Sequence, residues 1–197
     1  MPPPDLPLII CFGDSLTAGF QSPTATLPEG LNTPYGGFLQ KQLKGRARIA
    51  ISGTCGELTA QMVTRFARDV LDHKPDYAVI LGGTNDLGWN VAPPDIMRNL
   101  VMMYRQAGEA GTVAVPVTVP SVRGFDAAIP TRYALNAMIA AYCAHTRLPC
   151  VDLFGATAEM GTGRLAEAYS NDGLHLTTAG YELLARLLYE EVFKDLN

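Results

Sequence analysis

Five short apolar runs, each bounded by glycine or proline, constrain the fold of this chain more than any other feature. Residues 8–12 (Leu-Ile-Ile-Cys-Phe) stop at Gly13, and residues 77–81 (Tyr-Ala-Val-Ile-Leu) stop at Gly82-Gly83. Residues 46–51 alternate and carry β-branched side chains, residues 112–119 are rich in valine, and residues 150–153 follow Pro149. Runs of this kind read as buried parallel strands. Helical periodicity fills the intervals. Leu58, Met62, Phe66 and Val70 recur every four residues, as do Ile96, Leu100 and Tyr104, and Leu135, Ile139 and Cys143. A last helix is expected over 177–194, with Tyr181, Leu184, Leu188 and Val192 on one face. Pro93-Pro94-Asp95 marks a helix entrance and Gly111 an exit.

Strand and helix therefore alternate, which predicts a parallel sheet covered on both faces. Right-handed crossovers then make an α/β protein of the three-layer α/β/α sandwich type. The 197 residues suit one such domain, 1–197, with no repeat or long linker to divide it. The net charge of -4 offers no basic surface for nucleic acid or an anionic membrane. No apolar run is long enough to span a bilayer, so no membrane insertion is expected. The start, Met-Pro-Pro-Pro-Asp, lacks the positive region of a signal peptide, which predicts a cytoplasmic protein. Cys11, Cys143 and Cys150 sit in or beside apolar segments, as free buried thiols do. Cys143, His145 and Cys150 supply only three ligands across a helix end and a strand start, so no metal site is expected.

In open parallel sheets, chemistry gathers at the carboxyl ends of the strands. Four loops fall there: Gly13-Asp14-Ser15-Leu16-Thr17, Ser52-Gly53-Thr54-Cys55-Gly56-Glu57, Gly82-Gly83-Thr84-Asn85-Asp86 and Asp172-Gly173-Leu174-His175. Ser15 sits where a strand turns into a helix, and a serine hydroxyl needs a base within hydrogen-bond reach. Of the three histidines, His73 and His145 lie at the wrong ends of helices, which leaves His175. Asp172, three residues earlier on a tight turn, can hold the imidazole tautomer and stabilise its charged form. The Ser15 N–H, the unhindered backbone at Gly56 and the Asn85 amide are the candidate oxyanion donors.

In this order these residues resemble the GDSL/SGNH hydrolase superfamily. Gly-Asp-Ser-Leu at 13–16, Gly56, Gly-Gly-Thr-Asn-Asp at 82–86 and Asp-x-x-His at 172–175 match its successive blocks. The resemblance implies a flavodoxin-like five-stranded parallel sheet of order 2-1-3-4-5, a Ser15–His175–Asp172 triad and no cofactor. It implies an oxyanion hole of Ser15, Gly56 and Asn85, and a carboxylic ester as small-molecule substrate. Two positions depart from the pattern. Ile51 stands where members often carry asparagine, and Leu176 follows His175 where proline is frequent.

Rival readings fit less well. The elbow Gly-x-Ser-x-Gly of α/β-hydrolases fails at Thr17. No phosphate-binding glycine pattern supports a nucleotide module, and no histidine attends Cys55. A scaffold without activity would not need Ser15, Asn85, Asp172 and His175 together. Phe20, Tyr35, Trp89, Val122 and Phe125, expected on loops at the active edge, make an apolar pocket for a short or medium acyl group. Deacetylation of a carbohydrate, with Trp89 against a sugar ring, is the alternative, and thioester or lysophospholipid cleavage would use the same chemistry. The segment 20–34, with Pro23, Pro28, Gly30 and Pro34, is expected as a loop over the site.

Overall fold

The structure is a computed structural model that describes residues 6–26 and 28–196; the amino-terminal residues read above for a leader lie outside them. Among the described residues the main sheet has four parallel strands: β1 (Leu8–Gly13), β4 (Arg48–Gly53), β5 (Tyr77–Leu81) and β6 (Val113–Pro116), in the order β4-β1-β5-β6. A two-residue antiparallel pair, β2 (Phe20–Gln21) with β3 (Leu31–Asn32), forms a separate hairpin inside the segment 20–34. The apolar run at 8–12 becomes the central strand. Ile9, Ile10, Cys11 and Phe12 are all buried, because β1 is paired on both sides and covered on both faces.

The fifth strand expected over 150–153 shrinks to one parallel bridge, Val117 with Val151. Val151 donates to Pro116 O and accepts from the Thr118 N–H, both at 3.0 Å. The residues around it explain the truncation. Pro149 brings no N–H to a ladder, and Asp152 already caps the next helix, α7 (Leu153–Thr157), by accepting from the Gly155 N–H at 3.0 Å.

Helices cover both faces, as the alternation predicts. On one side α2 (Tyr35–Leu43) packs against α8 (Thr178–Leu188), which continues as a π turn (Tyr189–Phe193). On the other, α3 (Thr59–Asp69) packs on α5 (Pro93–Glu109), and α5 on α6 (Ile129–Thr146). The predicted stripes face inward: Met62, Phe66, Ile96, Leu100, Tyr104, Leu135, Ile139, Cys143, Tyr181, Leu184 and Leu188 are all buried. Two short helices start at strand ends: α1 (Ser15–Ala18) after β1 and α4 (Thr84–Gly88) after β5. No helix among the described residues is long and apolar enough to cross a membrane.

The strand ends are tied together by Arg65 of α3. Its Nε and Nη2 bind the Glu57 carboxylate at 2.7 and 2.6 Å, and its Nη1 reaches Ser52 Oγ at 2.6 Å and Asp69 at 2.9 Å. Nη2 also donates to Gly13 O at 2.9 Å, and the guanidinium lies 4.1 Å from the centre of the Phe12 ring. Asp86 of α4 caps α3 from a distance. It accepts from the Thr59 N–H at 2.9 Å and from Thr59 Oγ1 at 2.6 Å. Close approach matters at Gly13, where a Cβ would lie 2.1 Å from Leu81 O on the neighbouring strand.

Arg65→Met would leave Glu57 buried without its partner. The expected cost is about 3–5 kcal/mol, the range for breaking one side of a buried ion pair. Urea unfolding checks it, and a loss under about 1 kcal/mol, as for a surface pair, would show that this network does not hold the fold.

Candidate active site

Ser15 is the first residue of α1, and Asp14 is the cap, its Oδ1 accepting from the Leu16 N–H at 2.9 Å. The strand-to-helix turn points Ser15 Oγ at His175, with His175 Nε2 at 3.1 Å. On the other side of the ring, His175 Nδ1 lies 2.7 Å from Asp172 Oδ2. The edge of the Phe20 ring closes over the imidazole, with centroids 4.7 Å apart and planes at 71°. Ser15, Asp172, His175 and Phe20 are thus together at the carboxyl end of β1. His73 lies in the turn Leu71–His73 and His145 in the last turn of α6, and neither is bonded to this group.

The 172–175 turn is built around one carboxylate. Asp172 Oδ1 accepts from the N–H groups of His175 (2.7 Å) and Leu174 (2.8 Å), and Oδ2 accepts from Ser22 Oγ at 2.5 Å. Ser170 Oγ accepts from the Gly173 N–H and donates to His175 O. Burial pushes the Asp172 carboxyl up, but the bonds from His175, Ser22 and the two backbone donors outweigh it and hold it well below the usual carboxylate range. Asp172 is therefore ionised wherever His175 needs a counter-charge. Ser22 belongs to the flagged segment 20–34, and nothing in its residue type announced this contact.

Gly56 occupies the left-handed region (φ 75°) in a turn closed by the Glu57 N–H on Thr54 O, and a Cβ there would meet open space. Asn85 is in the first turn of α4 rather than in a free loop. Its Nδ2 donates to Glu57 O at 3.0 Å and lies 3.4 Å from Asp14 Oδ2. Through that bond the Asn85 amide is fixed to the turn carrying Gly56. Among the described residues, the N–H groups of Ser15 and Gly56 donate to no protein acceptor.

A cavity of about 410 Å³ adjoins the site and shares Asn85 with it. Trp89, Val122, Phe125 and Leu174 line it, together with Thr84 and Arg132. Trp89 and Phe125, 76% and 72% exposed, stand at its rim. Tyr35 does not belong here. It is fully buried at the start of α2, its hydroxyl directed at Cys11 and Thr17 beneath the sheet edge. Its ring fills the layer between α2 and β1, where the helix begins one residue after Pro34 rather than further along the chain. A larger cavity of about 560 Å³ lies between α2 and α8 and shares no residue with the Ser15 group. Cys55 is exposed in the turn beside Gly56.

Residues 11–183 match the GDSL-like Lipase/Acylhydrolase family. The chain belongs to that family. Membership puts it among the carboxylic ester hydrolases. A lipase/acylhydrolase from Enterococcus faecalis is 27% identical and superposes with a TM-score of 0.79, covering 98% of each chain. Axe2, an acetylxylan esterase from Geobacillus stearothermophilus, shares the fold at 21% identity, with a TM-score of 0.79 over 95% of this chain and 94% of that one. A lipoprotein of Bacillus subtilis, YqeF, is 28% identical over 123 residues, 59% of this chain and 50% of the relative, so the match spans half of that relative's length.

Asp14 shows how differently two carboxylates of one site are held. Burial pushes its carboxyl up to about 7, against one backbone donor and the nearby His175, with Asp86 and Glu57 adding to the rise. An unfolded chain ionises near 3.9, so the folded state retains a proton between about pH 4 and 7 that the unfolded state has lost. Stability from this group is complete below pH 4 and falls as pH rises through 7. Asp14→Asn is expected to flatten that slope and to raise Tm at pH 8 relative to the wild type, with little change at pH 4. Thermal melts over pH 4–8 check it; an unchanged slope would remove Asp14 as its source.

Proposed function

We propose that the protein hydrolyses short- to medium-chain carboxylic esters through an acyl-enzyme on Ser15. The observation that carries this is the unbroken chain from Ser15 Oγ through His175 to Asp172, at 3.1 and 2.7 Å. Ser15 Oγ attacks the ester carbonyl carbon while His175 Nε2 takes its proton, and Asp172 keeps Nδ1 protonated and stabilises the imidazolium. The oxyanion that forms is met by the N–H groups of Ser15 and Gly56 and by the Asn85 amide. Donors fixed before the reaction stabilise that charge without reorganising. Collapse expels the alcohol, which receives the proton from His175. Water then repeats the sequence and releases the acid. No step requires a metal or cofactor.

The apolar walls beside Asn85 support an acyl group of modest length, held by Val122, Phe125 and Leu174. Trp89 at the rim supports a second reading, in which the pocket takes an acetylated sugar, by analogy with the acetylxylan esterase Axe2. An ester series decides between them.

Hydrolysis of p-nitrophenyl acetate, butyrate and octanoate is expected from the wild type without added metal. Ser15→Ala is expected to lose more than about 10³-fold in kcat and Asp172→Asn about 10⁴-fold, as tautomer control is lost. Equal turnover by Ser15→Ala would refute the nucleophile. Activity confined to acetylated sugars would replace the acyl-chain reading with the carbohydrate one.

A further inference from the structure

Arg132 stands apart from the other sheltered arginines. Arg65 is bonded to Glu57, Asp69, Ser52 and Gly13 O, and Arg123 to Glu159, Glu167 and Leu165 O. Arg132, in the first turn of α6, is only 3% exposed, yet it makes one hydrogen bond, from Nη1 to Pro120 O at 3.1 Å. Among the described residues its Nε is buried with no partner, and no ion pair joins it to a carboxylate. The charge that acts on it is that of Asp14, which forms no hydrogen bond or ion pair with it among the described residues. Burial pushes the guanidinium down to about 10, so it still carries its charge at neutral pH. An unpaired buried charge costs several kcal/mol, a cost the fold avoids at Arg65 and Arg123.

Arg132 lines the cavity beside Asn85. Thr84, next to Asn85 in the chain, lines the same cavity, and its Oγ1 is likewise buried and unpartnered. No aspartate or glutamate lines this cavity, and Arg132 is its one charged residue among the described lining. The remaining walls are mostly apolar. A mostly apolar cavity whose lining includes an unpaired guanidinium and an unpartnered hydroxyl suits the end of a chain that carries an anionic, two-oxygen group. A carboxylate matches the fork of the guanidinium in charge and in geometry.

We propose that Arg132 and Thr84 form an anion subsite that selects esters carrying a carboxylate at the far end of the part lodged in this cavity. The inference rests on the acyl-hydrolase reading above. The carboxylate has two possible sources: the acyl part, as in a half-ester of a dicarboxylic acid, or the alcohol part, as in an O-acylated hydroxy acid.

The test compares matched pairs by pH-stat: monoethyl adipate against ethyl hexanoate, and 4-acetoxybutyrate against butyl acetate. In one of the two pairs the charged ester is expected to have a kcat/KM at least about tenfold higher, mainly through KM, the scale of one charge-assisted hydrogen bond. Which pair shows it identifies the source. In Arg132→Met the charged-to-neutral ratio is expected to fall to about one or below, with Arg132→Lys between the two. A neutral preference in both wild-type pairs would overturn the subsite, whether or not the variants fold. So would a charged preference that survives in Arg132→Met. Calorimetric binding of the same esters to Ser15→Ala separates this from the catalytic reading. Selective binding of a charged ester, with no hydrolysis by the wild type, would sink the hydrolase and keep the subsite. Hydrolysis of neutral esters without charged preference would do the reverse.

Discussion

Arg65 donates at once to Gly13 O, to Ser52 and to Glu57, so the ends of two neighbouring strands and the turn bearing Gly56 share one guanidinium. Ser15 follows Gly13 by two residues, and Glu57 O receives the Asn85 amide. The relative positions of Ser15, the Gly56 turn and Asn85 therefore pass through this single group. Its desolvation is offset by bonds to two carboxylates and two backbone oxygens and by the Phe12 face. A lysine there would present one point charge instead of a planar fork and could not span the same set. Asp86 extends the coupling by capping α3, the helix that carries Arg65, from α4, the helix that carries Asn85.

The same edge pushes the carboxyls of two aspartates in opposite directions by environment alone. Asp172 collects donors from two backbone N–H groups, Ser22 and His175, and stays ionised. Asp14 has one backbone donor and full burial among other acids, so its proton is retained far above the ordinary range. Only the first is suited to stabilise a charged imidazole. Hydrogen-bond supply, more than distance to Ser15, separates the two roles.

Layers, strands and the Ser15, Asp172 and His175 positions were legible because period and strand-end logic are local in sequence. What escaped depends on contacts between distant segments. Tyr35 follows Pro34, which reads as loop, yet its ring is taken into the core because α2 starts there. The fifth strand has the right composition but is cut short by Pro149 and by the cap at Asp152. Arg65 and Arg132 both lie on the apolar stripes of their helices: Arg65 three residues after Met62, Arg132 three before Leu135. A lone arginine at a core position of a helical stripe was a signal in the sequence, since burial at that position demands a partner.

His175 depends on even longer-range closure. The ring is bounded by the 172–175 turn on one side and Phe20 on the other, and Phe20 is fixed by its carbonyl accepting from Tyr181 Oη of α8 at 2.7 Å. Gln21 adds bonds to Thr178 at the start of the same helix. These contacts span about 150–160 residues. Such contacts bear the entropy of closing most of the chain. The alignment of His175 with Ser15 is therefore a property of the finished sandwich. It requires α8 docked against α2 and the 20–22 segment laid across its first turn, and neither the Ser15 turn nor the Asp172–His175 turn can create it alone.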